Sequence, residues 1–426
     1  MTGFEYSFSH FPQAYYYCYF NNIYNKRAAT LCRQIWYNRK EETQGGNAMF
    51  SLTMNRQSFL TNLRITIRAI ASKTTIPVLT GVKMVLSEDG LLMTGSNVDI
   101  SIETFLKSDD EKANMRIHET GGIVMDARLL NNIVAQLPET DFTMEVTDNH
   151  QVQITSGKAI FTVKGLDVEN YPRLPDIDKE NPLKIPVEIL KQIISQTVFS
   201  VSKQESKPIL TGVHMLVEDG KTLKAVATDS HRMSQRLLSL PNETANFDIV
   251  IPGSSLKEVG SVFAEEEEML DVLISDNQVL FAAGGIRYYS RLLEGNYPPT
   301  DRLIPNECTT AVEFEVKELQ RAITRASLMS HEGHNNIVRL EITQNGVKLY
   351  GNSPEVGRFD EDLAPEKITG ENLSIAFNPD YMKEALGAFG DAHVEIQFIA
   401  PVRPFTIRPV EDPESFIQLI TPVRTA

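Results

Sequence analysis

Cysteine is scarce in this chain: Cys18, Cys32 and Cys308 are the full complement in 426 residues. Three scattered thiols supply neither a disulfide framework nor a metal cage, and such usage fits a reducing compartment. No apolar run approaches the roughly 18 residues that a membrane-crossing helix needs. Positive charge is short as well. Lys and Arg number 41 against 56 Asp and Glu, a net charge of −15. Taken alone, that balance argues against a simple nucleic-acid binder. No phosphate-binding glycine loop is present, since AAGGIRYY at 282–289 lacks the lysine and the spacing. There is no G-x-S-x-G elbow and no zinc-finger spacing. Asp229, Ser230, His231 and Arg232 carry hydrolase chemistry, but a serine next to its histidine in sequence does not make a triad. His331 and His334, in HEGH, have no Cys or carboxylate cluster at metal-site spacing beside them and read as a polar loop. We expect no catalytic residue, no metal and no cofactor; a multi-domain hydrolase or carbohydrate-processing enzyme is the enzyme alternative.

Apolar content of 42% and charged content of 23% are ordinary for a globular chain. Residues 1–48 stand apart. They hold 12 of the 34 aromatics, the single Trp (Trp36) and the run YYYCYF at 15–20. They show no amphipathic period and no apolar stretch like that of a signal peptide. This segment reads as a poorly ordered extension, outside the mature protein. Regular patterning begins at Met49 with MFSLTMNRQSFLTNL.

One string occurs twice. TIPVLTGV at 75–82 and KPILTGVH at 207–214 share P-[VI]-L-T-G-V, with Ser-Lys shortly upstream in both. A spacing of roughly 130 residues is a duplicated domain rather than a solenoid repeat. The length from Met49 onward accommodates three units of roughly 126 residues. Each opens with a strand and an amphipathic helix: Asn55 to Ala71, Pro186 to Phe199, Val316 to Leu328. Inward positions are Phe59, Leu63, Ile67 and Ile70, then Leu190, Ile194 and Val198, then Leu319, Ile323 and Ala326. Each then shows a hairpin ending in Asp89-Gly90, Asp219-Gly220 or Asn345-Gly346, a second short helix, and closing strands. Two helices and about eight strands per unit make the class α+β. The boundaries fall at 49–174, 182–304 and 311–426.

The helix faces opposite the core are basic. Gln57, Thr61, Arg64 and Arg68 align on the first, which carries no acid from Met54 to Lys73. Lys317, Arg321 and Arg325 form one stripe on the third. The second is weaker, with Lys191 beside Glu188, but Lys203 and Lys207 follow in its loop, where Lys203 matches Lys73. A solvated face looks similar. Its recurrence in an acidic chain, however, points to a polyanion met by phosphate contacts without base reading. If the faces are only solvated surface, a peptide-binding scaffold is what remains.

These residues, with VATDSHRMS at 226–234, EGNYPPTDRLIP at 294–305, FNPDYMKEAL at 377–386 and ITPVR at 420–424, give the chain from Met49 to Ala426 its resemblance to a known family. The chain resembles the bacterial DNA polymerase III β subunit, the sliding clamps. The resemblance implies three tandem clamp domains and a head-to-tail homodimer, a six-domain ring around double-stranded DNA without catalysis of its own. It implies partners among replicative and translesion polymerases, the clamp loader and mismatch-repair proteins, in the cytoplasm at the nucleoid.

By the same resemblance, Lys73, Lys203 and Gln204 lie where relatives touch DNA; helical phase adds Arg64, Arg68, Arg321 and Arg325, and the loop adds Lys207. A pocket for a partner's peptide is implied at Leu210, Thr228, Ser230, His231, Arg232, Met233, Pro298, Arg302, Leu303, Asn378, Tyr381, Val402, Pro404, Thr421, Pro422, Val423 and Arg424. There Leu210, Met233, Leu303, Val402 and Val423 are expected to offer apolar sub-pockets, and His231, Arg232 and Arg424 to offer donors. Ser230 stands where many relatives have Gly, and Thr421 and Val423 where some have Met. Ring closure is implied at the edge strand 159–164, with Phe161 and Val163 on one face, and at Leu328 and Met329.

Overall fold

The structure, a computed structural model, describes residues 50–71, 74–174, 177, 182–263, 268–332, 336–353 and 357–424. The expected extension at 1–48, and Lys73 and His334, lie outside the described residues. The first domain runs β1 (Phe50–Asn55), α1 (Arg56–Thr66), β2 (Gly81–Ser87), β3 (Gly90–Ser96), β4 (Ile100–Lys107), β5 (Arg116–Glu119), β6 (Gly121–Asp126), α2 (Ala127–Ala135), β7 (Asp141–Thr147), β8 (Gln151–Ser156) and β9 (Ala159–Lys164). The second runs β10 (Leu183–Pro186), α3 (Val187–Thr197), β11 (Gly212–Val217), β12 (Thr222–Thr228), β13 (Arg232–Ser239), β14 (Phe247–Pro252), α4 (Gly253–Val262), β15 (Met269–Ile274), β16 (Gln278–Ala283) and β17 (Ile286–Arg291). The third runs β18 (Thr310–Glu315), α5 (Val316–Glu332), β19 (Val338–Thr343), β20 (Gly346–Ser353), β21 (Gly357–Leu363), β22 (Lys367–Gly370), β23 (Leu373–Phe377), α6 (Pro379–Gly387), β24 (His393–Phe398), β25 (Phe405–Pro409) and β26 (Phe416–Ile420).

The unit is one α+β plan written three times. The outer copies each add one strand to the expected eight: β5 pairs with β1, and β22 with β18, both opening strands. Helix starts are set by caps. The Asn55 side chain accepts the N–H groups of Gln57 and Ser58 at 2.9 and 3.1 Å. Asp126 accepts that of Leu129 at 2.8 Å, and Asn378 that of Asp380 at 2.8 Å. In the middle copy Pro186 and Pro252 take the cap positions, with no side-chain bond. The apolar stripes of α1, α3 and α5 each enter a separate core. The expected stripe on α3 packs on the second core and is widened by one residue: Ile193 is fully buried beside Leu190, while Ile194 and Val198 are half-buried against the same core. α1 is shorter than expected, because a 3-10 turn at Ile67–Ala69 follows Thr66.

The repeated P-[VI]-L-T-G string has a local cause. Pro77–Thr80 and Pro208–Thr211 are 3-10 turns with Pro at the start. The Thr80 hydroxyl donates to the Pro77 carbonyl at 2.9 Å, and that of Thr211 to Pro208 at 2.7 Å. The following glycine starts a strand against a neighbouring backbone. A Cβ at Gly81 would lie 2.9 Å from the Met125 carbonyl oxygen, and one at Gly212 2.8 Å from that of Ile251. Pro presets φ, Thr closes the turn and Gly admits the adjacent strand. The third copy has no such string.

Four antiparallel sheets result, and two of them cross domain boundaries. The orders are β5-β1-β7-β8-β9, β10-β15-β16-β17-β4-β3-β2-β6, β14-β11-β12-β13-β26-β25-β24-β18-β22 and β21-β20-β19-β23. β17 of the second domain pairs with β4 of the first, Tyr288 opposite Ile102. β26 of the third pairs with β13 of the second, Gln418 opposite Ser234. Ala69 and Ile102 of the first domain also belong to the second domain's core. Because a methyl at Gly212 collides with backbone, Gly212→Ala is expected to cost about 1–3 kcal/mol. A fall of several degrees in the thermal midpoint would register it; an unchanged midpoint would contradict the close approach.

Candidate peptide cleft and basic helix faces

Helical phase is reproduced: Gln57, Thr61, Arg64 and Arg68, and likewise Lys317, Arg321 and Arg325, are all exposed. The cations of the stripes are not uniformly available. Arg68 pairs with Glu258 of the second domain. Lys317 pairs with Asp391 at 2.6 Å. Arg325 is held by Glu361 on β21, its Nε 2.9 Å from Oε2, and that hydrogen bond raises its pKa. Arg64 and Arg321 have no ion-pair partner among the described residues. Lys203, Gln204 and Lys207 project from the exposed loop that joins the end of α3 to the 3-10 turn at Pro208. A cavity of about 320 Å³ lies between α5 and the free strand β21, lined by Arg321, Arg325 and Glu361 among others.

The second constellation sits where β13 meets β26. The Asp229 carboxylate accepts the N–H groups of His231 and Arg232 at 2.9 and 3.0 Å and turns the chain back. Ser230 at the tip has φ +77°, the left-handed region where glycine is at home. Thr228 is buried, and its hydroxyl donates to the Arg232 carbonyl at 2.7 Å. Arg232 is only 5% exposed. Its Nε donates to Asp229 at 3.0 Å, its Nη2 to the Phe199 carbonyl at 2.6 Å, and its Nη1 to Glu384 of α6. The guanidinium lies 4.6 Å from the Tyr381 ring centroid, and His231 stacks on Tyr381 at 6.4 Å. Burial, followed by the Asp229 carboxylate, pushes the Tyr381 phenol up.

Several expected pocket residues therefore act differently from the expectation. Arg232 is not a spare donor at the rim; it is a buried strut between the second and third domains. Met233 is fully buried with Val226 and Leu419, on the sheet face away from the second core, where Tyr297 and Ile304 pack over it. Leu210 is buried as well. Asn378 is committed to capping α6. The exposed members are Ser230, His231, Pro298, Arg302, Leu303, Val402, Thr421 and Arg424, with Tyr381, Pro404 and Val423 half-buried and Pro422 buried. Leu303 and Val402 expose 50% and 57%, enough to offer apolar surface. The C-terminal segment is threaded through this region: Thr421 N–H donates to the His231 carbonyl at 2.9 Å, and Val423 N–H to that of Ala376 at 2.8 Å.

Sequence reading missed contacts that hold the neighbouring 297–304 segment. Tyr297 packs on Met233 and stacks on His214 at 4.8 Å, and His214 pairs with Asp248 at 2.7 Å. Lys224 pairs with Asp301. Nothing in the chain's periodicity singled out His214, Tyr297 or Glu384; their importance comes from long-range contacts.

For ring closure, β9 is a free edge with Ile160 and Phe161 exposed and Val163 packed against the first core. Leu328 is 58% exposed and Met329 half-buried on α5. Among the described residues no helix is long and apolar enough to cross a membrane.

Three copies of one α+β unit, joined edge to edge through two continuous sheets, form the architecture of a DNA sliding clamp. Family models of the DNA polymerase III β subunit match in succession: the N-terminal domain at residues 50–175, the central domain at 184–299 and the C-terminal domain at 301–424. The beta sliding clamp of Streptococcus pneumoniae R6 is 44% identical over 377 residues, 88% of this chain and 100% of the relative. That of Bacillus subtilis is 42% identical over 88% of this chain and 99% of its own length. The crystal structure of the β subunit from Streptococcus pyogenes superposes with a TM-score of 0.85 at 46% identity, covering 88% of this chain and all of that one. The chain belongs to the DNA polymerase III β-subunit family. It is a sliding clamp, a processivity subunit rather than a catalytic one, and its partners are DNA and polymerase.

The two interdomain arginines should differ in weight. Arg232→Met removes a buried cation from Asp229, Glu384 and the Phe199 carbonyl and leaves that carbonyl without its donor, whereas Arg68→Gln breaks an exposed pair. Losses of about 3 kcal/mol and below about 1 kcal/mol are expected. Thermal melts of the two variants would check the ranking, and equal midpoints would remove Arg232 from its role as strut.

Proposed function

We propose that two copies of the chain close head to tail into a six-domain ring that slides on duplex DNA and tethers partners through the cleft between its second and third domains. One observation carries the ring: β4 and β13 each accept a strand from the next domain, while the equivalent β21 and the complementary edge β9 accept none. Unpaired edges of this kind are normally covered. The internal pairs Tyr288–Ile102 and Gln418–Ser234, carried over by position in the repeat, set Phe161 of one protomer opposite Phe359 of its partner. Val163, Leu328 and Met329 support the same contact. Acidic Asp360, Glu361 and Asp362 on β21 suit the lysines Lys158 and Lys164 flanking β9.

Within the ring, Arg64, Arg68, Lys73, Lys203, Gln204, Lys207, Arg321 and Arg325 face DNA. Of these, Arg64, Arg321, Lys203 and Lys207 make the salt-sensitive contacts, because Arg68 and Arg325 are held by carboxylates. Weak phosphate contacts without base reading suit an object that must not stall. The cleft takes a short apolar peptide against Leu303, Val402 and Val423, with His231, Arg302 and Arg424 as polar guides and Arg232 and Tyr381 as its wall. Such a surface serves replicative and translesion polymerases, the clamp loader and mismatch-repair proteins in turn. The working place is the cytoplasm, at the nucleoid.

Loading the protein onto nicked circular DNA and then linearising the circle tests the reading. Retention on circles with loss from ends is expected; equal retention on both means ordinary affinity binding and overturns it. Replacing Arg64 and Arg321 by Ala should flatten the log–log salt dependence of duplex association by about 0.9 for each phosphate left without its cation. Arg325→Ala should change that slope little. An unchanged slope in the first variant would take α1 and α5 out of the channel.

A further inference from the structure

The segment that closes the second domain crosses the outer face of its sheet without joining it. Leu293 N–H still donates to the Val250 carbonyl at 2.8 Å. From there to Ile304 the backbone bonds among the described residues stay inside one turn. Leu303 N–H donates to the Thr300 carbonyl at 2.9 Å and Ile304 N–H to that of Asp301 at 3.3 Å. Side chains tie the strap down instead. The Tyr297 ring stacks on His214 of β11 at 4.8 Å, with 26° between the planes. His214 Nε2 lies 2.7 Å from the Asp248 carboxylate of β14, which fixes the imidazole under that ring. Lys224 of β12 pairs with Asp301. Between these tethers, Tyr297 and Ile304 cover Val226, Met233 and Leu419.

The repeat shows that the polar tethers are not part of the common plan. Lys83 opposite Thr94 in the first domain matches His214 opposite Val226 in the second. Leu92, opposite Val85, then stands at the place of Lys224, opposite Leu216. Gly122 stands at the place of Asp248. The equivalent Asn170-Tyr171-Pro172 therefore crosses its domain without a counterpart of the His–Asp pair or the lysine, and Tyr171 is buried against Val78, Leu79 and Val124. Of the two crossing segments, the one with polar tethers is the one that carries Pro298, Arg302 and Leu303.

We propose that His214 and Lys224 are positioning residues for the peptide cleft, acting from the outer sheet face through Tyr297 and Asp301. This rests on the cleft reading above. Asp301–Leu303 is a 3-10 turn, in which successive side chains diverge by about 120°. Holding Asp301 against the sheet therefore turns Arg302 and Leu303 away from it, and Leu303 is half exposed. A tethered strap meets a peptide already ordered. A released one is ordered only on binding, and the affinity falls by the fraction of time that it is in place.

Fluorescence anisotropy of a labelled octapeptide ending in two leucines, titrated with the full chain and its variants, gives the test. His214→Ala combined with Lys224→Ala should raise the peptide Kd about tenfold, as a strap in place about a tenth of the time implies. His214→Phe keeps a ring under Tyr297 and should stay within about threefold of the unaltered protein. Lys224→Asp should weaken binding by up to about fivefold, and adding Asp301→Lys should recover most of that loss. Leu303→Asp, a change in the cleft itself, is the reference. If it weakens binding while the double alanine variant binds normally, the positioning role is overturned and the cleft stands. Weakening that His214→Phe shares in full and the exchanged pair does not relieve overturns the role as well. A peptide that fails to bind the unaltered protein, or binds Leu303→Asp equally, overturns the cleft reading and this inference with it.

Discussion

Backbone hydrogen bonding at sheet edges is the constraint on which the rest of the molecule depends. A strand with one open side presents a row of unpaired donors and acceptors, and three tandem copies of one unit present three such rows of each kind. Two are satisfied inside the chain, β4 by β17 and β13 by β26. The pairing does more than join domains. It fixes the angle of each unit to the next, because ladder bonds are directional, and so it decides where α1, α3 and α5 point. The shared core adds to that rigidity: Ile102 of the first domain is fully buried among second-domain residues. Helix faces, cleft and free edges are all consequences of that one geometry.

Charge is organised on this frame. With 56 acids against 41 bases, the chain can concentrate cations only by segregating them, and it does so on the exposed faces of α1 and α5. Arg68, Lys317 and Arg325 are nevertheless paired with Glu258, Asp391 and Glu361. Exposed pairs of this kind contribute little stability. In the proposed ring their effect is to temper the field, since each offers a carboxylate as an alternative to a phosphate. A clamp needs attraction that is shared among many equivalent positions and decisive at none. Half-neutralised cations supply that, where an unbroken basic groove would hold one register.

Much of this was legible in the sequence, and the limits have physical causes. The twice-written P-[VI]-L-T-G string disclosed the duplication because turn chemistry is local: Pro, Thr and Gly act within a few residues of one another. Helix faces were legible for the same reason, since a period of 3.6 needs no tertiary information. On α3 the depth of Ile193 could not be read, because Ile193 and Ile194 are both apolar and only tertiary packing sets which lies deeper. Arg232 marks another limit. In sequence it is a cation beside a histidine; its partners at Phe199 and Glu384 lie 33 and 152 residues away. Sequence can nominate a charged residue but cannot say whether its donors are already used. Met233 is a related case: its cover by Tyr297 and Ile304 depends on a segment some 65 residues along the chain.

The same reasoning explains why the copies have diverged where they have. Positions bound by backbone geometry stay alike: Gly95 and Gly351 each admit a carbonyl that any Cβ would strike, and Gly81 and Gly212 each admit a neighbouring strand. Positions that face another domain are free to follow that neighbour, and they differ most. Leu129, Ser255 and Tyr381 occupy one place in three equivalent helices, yet one is exposed, one is buried and one walls a cleft. The cleft proposed at the second junction draws on one such difference, Tyr381 packed against Arg232. Repetition supplies the track, and departures from repetition supply each junction's separate task.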